Sequence, residues 1–233
     1  MVEYTFALDI NINYMQIGIL GSGFVGQTIG SALINKGHIV MMGSRNAANE
    51  NTIEWSKQSS NASYGTFQNA MEFGEIIFVC INGSFVKETF EALNKESVSG
   101  KTIIDVTNPL DFSKGMPASL LPAYSNRWSL GEEIQQLLPD AYVVKALNTV
   151  TARLMVNAEL INDGNHQMCI CGNDTNAKNK VKHLLADNFL WKPEFIVDMG
   201  GIESARLMEA VVPYWLGIMQ VLGTPLFNYQ IVR

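Results

Sequence analysis

The sequence predicts an α/β fold built on a doubly wound, mostly parallel sheet, and three observations predict it. Short apolar runs alternate with segments of helical spacing, and those at residues 17–20 and 75–81 are continuous, as strands covered on both faces require. Polar turns follow the runs, at the strand ends that border a ligand crevice in an open parallel sheet. A glycine pattern, Gly21-x-Gly23-x-x-Gly26, joins the first run to the first helical segment.

In chain order, residues 15–20 form the first strand. Residues 27–35 form the body of a helix whose apolar positions are Val25, Ile29, Leu33 and Ile34. Gly37 suits the left-handed position that closes it, and residues 39–42 read as the second strand. A polar loop at 46–51 leads to a short helix at 52–57 and a short third strand at 62–64. Thr66 caps a helix at 67–73, and residues 75–81 supply the fourth strand. Residues 85–93 are helical and 101–106 form the fifth strand. Residues 111–126, rich in proline, serine and glycine, read as an irregular excursion where a substrate loop could form. Ser129 caps a helix at 130–138, and residues 141–146 supply the sixth strand. A helix at 151–158, a strand at 166–171, a helix at 175–186, a strand at 194–197 and a final helix from Gly201 complete the chain. The expected organisation is an N-terminal extension at 1–14, a nucleotide-binding domain at 15–150 and a small mixed α/β extension at 151–233, without internal repeats.

The chain has 233 residues, nearly half of them hydrophobic, enough for a sizeable core, and its net charge of −6 argues against nucleic acid or an anionic membrane surface as partner. No run is long enough to span a bilayer: the most apolar late stretch, 211–222, is interrupted by Pro213 and Gly217. Residues 1–14 carry Glu3 and Asp9 and do not read as a signal peptide. The three cysteines, Cys80, Cys169 and Cys171, offer no disulfide framework and point to a reducing, cytoplasmic setting; Cys169 and Cys171, two apart on a strand, are expected to pack. His38, His166 and His183 have no ligand spacing, so no metal is expected. The apolar final helix, with Val211, Val212, Tyr214, Trp215, Ile218 and Met219, either closes the core or forms a homodimer surface.

The first glycine turn has the form that carries a pyrophosphate: Gly21 allows the tight turn, Gly23 a close backbone approach and Gly26 close packing of helix on sheet. Ser22, Phe24 and Val25 complete this turn, and the helix N-terminus that follows attracts negative charge without a basic side chain. The second strand ends in Gly43-Ser44-Arg45, where an NAD-specific site would place an acid. Arg45 can grip a 2'-phosphate through its guanidinium and Ser44 offers a hydroxyl, so NADP(H) is the expected dinucleotide. The later strand ends add Cys80, Ile81, Asn82, Asn108, Pro109 and Asn148 as candidate cofactor contacts.

Taken together, these motifs resemble the NADPH-dependent reductases of the coenzyme F420 (deazaflavin) family, and the cytosolic part of the transmembrane ferric reductases is similar. The resemblance rests on the glycine turn at 21–26, Gly37-His38, Gly43-Ser44-Arg45, Asp105-Val106-Thr107-Asn108-Pro109-Leu110, Val144-Lys145-Ala146-Leu147-Asn148-Thr149, Cys171-Gly172-Asn173-Asp174 and residues 200–206. It implies a Rossmann-type fold, with Ser44 and Arg45 on the 2'-phosphate and the Phe24 and Val25 amides on the pyrophosphate. It also implies Ile81, Asn82 and Asn108 near the ribose and nicotinamide, and a flavin or deazaflavin acceptor beyond, near Asn148. The chain departs from the family in the uncharged run Asn46-Ala47-Ala48-Asn49 after Arg45 and in its long 111–126 excursion.

Hydride transfer between stacked rings needs proximity and exclusion of water more than an acid or base. Asn148, Thr149 and Arg206 are the residues expected near the acceptor, though Arg206 could equally pair with Glu203 or Glu209, and Lys145 could sit in a salt bridge. Two rival readings remain at this point. One is a reductase of a small imine or keto acid, with Lys145 or Glu203 as proton donor; the other is a non-catalytic NADP-binding sensor.

Overall fold

The computed structural model describes residues 14–232. The predicted N-terminal extension therefore lies outside the described residues, apart from Tyr14. One eight-stranded sheet organises the chain. Its strands, in chain order, are β1 (Gln16–Leu20), β2 (Ile39–Ser44), β3 (Ala62–Thr66), β4 (Ile76–Val79), β5 (Thr102–Asp105), β8 (Tyr142–Lys145), β9 (Met168–Gly172) and β10 (Ile196–Asp198). A separate two-stranded hairpin, β6 (Leu110–Asp111) with β7 (Ser119–Leu120), orders part of the expected irregular excursion.

Across the large sheet the order is β10-β9-β8-β5-β4-β1-β2-β3. All neighbours are parallel except β8 and β9, which pair antiparallel. Residues 168–198 thus extend the sheet begun at residue 16, and the expected boundary at 150 falls within this one layer. The order reverses between β1 and β4, which both border the same crevice; that is where such sheets bind ligands.

The strands are apolar throughout because both faces are covered. Ile17, Ile19, Ile76, Phe78, Ile104 and Val144 belong to one core, with Ile29 and Leu33 of α1 (Phe24–Asn35) and Leu185 and Phe189 of α7 (Thr175–Phe189). Their strand neighbours Leu20, Ile77, Val79, Ile103 and Val143 enter the other core, with Ala70 of α3 (Phe67–Phe73), Phe90 of α4 (Val86–Glu91), Ile134 of α5 (Leu130–Leu137) and Met208 of α8 (Ala205–Leu222). That is the two-residue period of a strand, satisfied on both sides.

Local signals set most boundaries. Both caps read from the sequence form full capping boxes, Thr66 with Asn69 and Ser129 with Glu132. The helix α1 begins at Phe24 rather than Gln27, on an N-cap glycine with no side-chain cap, so its first amides face the crevice. The helix α2 (Glu50–Ser56) starts two residues early because the Asn49 side chain accepts from the amides of Asn51 and Thr52. The predicted helix at 151–158 shrinks to α6 (Ala152–Met155), since Asn157 caps a separate short turn by accepting from the Glu159 amide at 3.1 Å.

The helix α8 runs unbroken through Pro213 and Gly217, the two residues that interrupt its apolar run, as the expected final helix does. Tertiary packing supplies what the local signal lacks: Val212, Trp215 and Leu216 are buried against Ala118 and the partly buried Leu110 and Phe227. The Trp215 and Phe227 rings stack at 5.1 Å, a pair worth about 0.5–1.5 kcal/mol beyond area burial. Val212 and Trp215 therefore close the core, whereas Leu207 and Tyr214 are exposed. Among the described residues, no helix is long and apolar enough to cross a membrane.

Candidate functional site

The crevice at the strand ends consists of two cavities that meet at Cys80, Ile81 and Asn82. The first, about 460 Å³, is lined by Gly21, Ser22, Gly23, Ser44, Arg45, Asn46, Asn49 and Phe85, among others. The second, about 390 Å³, runs from Phe24 and Val25 past Thr107, Asn108, Asn148 and Thr149 to Phe112, Met155 and Trp215. The structure thus brings together nearly every sequence-derived candidate. Arg206 and Pro109 are the exceptions.

The glycine turn fits a phosphate group. Gly21 has φ +132°, a conformation L side chains rarely adopt, and a Cβ there would lie 2.5 Å from the Cys80 carbonyl oxygen. A Cβ on Gly26 would collide with the Gly21 carbonyl, so helix and turn interlock only without a side chain. Gly23 faces open space, leaving room for a ligand against its backbone. Gln27 fastens the turn by donating from Nε2 to the Ser22 carbonyl at 2.9 Å.

At the far end of this cavity Arg45 is exposed, and its guanidinium lies 5.2 Å from the centroid of the Phe85 ring. Such stacking orients a planar cation that would otherwise sample many rotamers. Sequence reasoning missed Phe85, because only the fold brings the turn that follows β4 beside the end of β2. Ser44 behaves differently from its expectation: it is buried, and its hydroxyl donates to the Asn46 carbonyl at 2.6 Å. That hydrogen bond shapes the turn presenting Arg45.

Deeper in, Asn108 and Asn148 face each other across the ends of β5 and β8. Asn108 Nδ2 donates to the Asn148 carbonyl at 2.7 Å; Asn148 Nδ2 donates to Asn108 Oδ1 at 2.9 Å and to the Met208 carbonyl at 3.0 Å. With both amide hydrogens committed, Asn148 Oδ1 is left buried with no partner, a vacant acceptor on a residue of the cavity wall. Leu147, at φ +64°, turns the chain to place Asn148 there. These features suit a dinucleotide laid across the strand ends.

Cys80 is the single ionisable side chain among the described residues lining the deeper cavity, and burial pushes its thiol far above its ordinary value, with Asp105 adding to the effect. Arg206 points elsewhere, pairing with Glu132 rather than with Glu203 or Glu209: its Nε donates to Glu132 Oε2 at 2.8 Å and its Nη2 also bonds the carboxylate. Pro109 is buried and its carbonyl accepts from the Leu121 amide at 2.8 Å, tying down the excursion instead of lining the cavity. Lys145 is fully buried between Asp105 and Glu209, and Glu203 is exposed.

Burial alone would raise the Glu132 carboxyl, but the Arg206 and Ser129 hydrogen bonds more than offset it and hold the group below its ordinary 4.5. A depressed folded-state pKa contributes stability above the unfolded value and loses it as the pH falls through the folded one. Arg206→Met is therefore expected to destabilise the fold most near pH 7, with a deficit that shrinks as the pH falls through the folded-state pKa of Glu132, measured by urea unfolding at pH 7 and at pH 3.

The ring nitrogens of His38 and His166 serve the fold. His38 accepts from the Met15 amide at 3.2 Å through Nδ1 and bonds Asn188 Oδ1 at 2.8 Å through Nε2; His166 bonds the Ala158 carbonyl and Asn228, both at 2.8 Å.

Residues 16–109 match the family described as NADP oxidoreductase, coenzyme F420-dependent. The crystal structure of a putative F420-dependent NADP reductase from Arthrobacter sp. FB24 superposes with a TM-score of 0.86 at 36% identity, covering 94% of this chain and 100% of that one. The chain belongs to this family. It is thereby an NADP-dependent oxidoreductase, as the strand-end arginine led the sequence to suggest. Within curated proteins it is 28% identical over 214 residues to the F420-dependent NADP reductase of Methanocaldococcus jannaschii, covering 92% of that protein. It is also 30% identical over 207 residues to rat metalloreductase STEAP3, although the match spans only 38% of that longer relative.

Proposed function

We propose that the crevice binds NADPH with its 2'-phosphate on Arg45, its pyrophosphate on the Gly21–Val25 turn and its nicotinamide end against the Asn108–Asn148 pair, and passes hydride to a flavin or deazaflavin seated against Phe112, Met155 and Trp215. The observation that carries this reading is the continuity of two cavities from an exposed, ring-stacked arginine to a buried apolar wall. When bound, the dinucleotide supplies the hydride. The chain supplies phosphate recognition at one end, the paired Asn108 and Asn148 amides in the middle and the apolar side chains of Met155, Val212 and Trp215 at the other.

The deeper cavity also weighs against the imine or keto-acid reading. Such a reduction needs a proton delivered to the substrate, whereas no carboxylate, lysine or imidazole stands among the described residues that line it. Lys145 is held in its ion triad and Glu203 is outside the cavity. A flat acceptor ring that takes hydride directly fits this lining. The exposed apolar residues of α8, Leu207, Tyr214 and Val221, recur every seven residues, the spacing of helix pairing, and form the surface we assign to a homodimer.

NADPH oxidation, followed at the nicotinamide absorbance band with FMN, a deazaflavin and a ferric chelate in turn, tests the proposal. Turnover with a flavin-type acceptor is expected, faster with NADPH than with NADH. Tight NADPH binding with no turnover on any of the three would instead make the protein a binding module.

A further inference from the structure

Three fully buried ionisable side chains lie beneath the Asn108–Asn148 pair and contact none of the proposed ligands directly. Lys145 ends β8 and stands in register with Asp105 at the end of β5. Its ammonium donates to Asp105 Oδ2 at 2.8 Å and to the Thr107 carbonyl at 2.7 Å, and lies 2.7 Å from Glu209 Oε1, so all three of its donors are used. Asp105 Oδ1 accepts from the amide and the hydroxyl of Thr107, at 2.9 and 2.7 Å. Glu209 accepts from the amides of Leu130 and Gly131, at 2.9 and 3.1 Å, at the start of α5.

One ammonium therefore joins β5, β8, α5 and α8. Thr107, held by three hydrogen bonds to this triad, is followed by Asn108, and Met208, whose carbonyl holds Asn148, precedes Glu209. A shift of α8 by a fraction of an ångström would move the Asn148 amide together with Val212 and Trp215, which line the same cavity. Hydride transfer is sensitive to displacements of that size. A buried ion triad is not needed for stability, since well-packed apolar side chains often do as well.

We propose that Glu209, acting through Lys145, is a positioning residue that fixes the spacing between the Asn108–Asn148 pair and the α8 wall, and so the seat of the nicotinamide ring. This rests on the reading of the crevice given above. The test compares NADPH with 2'-phospho-ADP-ribose, which keeps every phosphate and lacks only the nicotinamide, by calorimetry on the full chain. Glu209→Gln retains the shape but only one acceptor oxygen, enough for either the Leu130 amide or the Gly131 amide and Lys145. It is expected to weaken NADPH by about tenfold, the effect of one charge-assisted hydrogen bond, while leaving 2'-phospho-ADP-ribose within about twofold.

Thr107→Val gives a milder probe should Glu209→Gln fold poorly: it removes one hydroxyl donor to Asp105 and is expected to cost NADPH alone about threefold. Equal losses on both ligands, or no loss on either, would reduce the triad to a purely structural role and overturn the proposal. Arg45→Ala, run in parallel, separates the two levels. It should weaken both ligands; if it weakens neither, the crevice reading itself falls, and this inference with it.

Discussion

Arg45→Ala is expected to weaken NADPH binding by about 1.5–3 kcal/mol, ten- to hundredfold, and to leave NADH binding nearly unchanged. A guanidinium meets a phosphate with two charge-assisted hydrogen bonds, and the dinucleotides differ only by that phosphate. Phe85 already orients the arginine, so little rotamer freedom remains to be lost on binding. The four residues after Arg45 are uncharged, which concentrates the discrimination in this side chain. Titration of both dinucleotides by calorimetry measures it, and equal losses for the two would remove Arg45 from phosphate recognition. Raising the salt concentration should narrow the NADPH preference of the unmodified chain, because the contact is made at an exposed site.

The largest effect on stability is expected from Lys145→Met. The substitution leaves Asp105 and Glu209, both fully buried, facing one another without a cation, an error that typically costs about 3–5 kcal/mol. In a chain of this length each kcal/mol lowers the melting temperature by about 2–4 °C, so the variant should melt well below the parent. The sign of its pH dependence follows from Glu209. Burial already raises that carboxyl above its ordinary value, and Asp105 adds to the effect, while Lys145 opposes both. Without Lys145 the value rises further. A group whose folded pKa is raised stabilises the fold below its unfolded pKa and loses that contribution as the pH climbs through the folded one. The deficit of Lys145→Met should thus shrink as the pH is lowered from 7 toward 5, measured by urea unfolding. A deficit independent of pH would mean that lost packing, rather than unpaired charge, causes it.

Much of the fold was legible because its signals are local. Thr66 and Ser129 could be read as caps from the residues that follow them, and the apolar run at 75–81 could only be a strand covered on both sides. Where a local signal was weak, packing decided. Pro213 has no amide hydrogen to give a helix, yet α8 continues through it because Val212, Trp215 and Leu216 bury against the hairpin at 110–120. The 111–126 segment has no regular periodicity, yet it is held by Pro109, Leu121 and the underside of α8.

The sequence by itself determined the glycine turn, the arginine at the end of the second strand and the strand ends that border the crevice, because each depends on residues adjacent in the chain. The tertiary structure alone decided which charges pair and which amides stay free. Arg206 found Glu132, Lys145 drew in both Asp105 and Glu209, Phe85 came beside Arg45, and Asn148 kept one acceptor vacant. Those partners lie tens of residues apart, and an ion pair or a vacant acceptor is set by distance in space, which short-range sequence patterns do not encode.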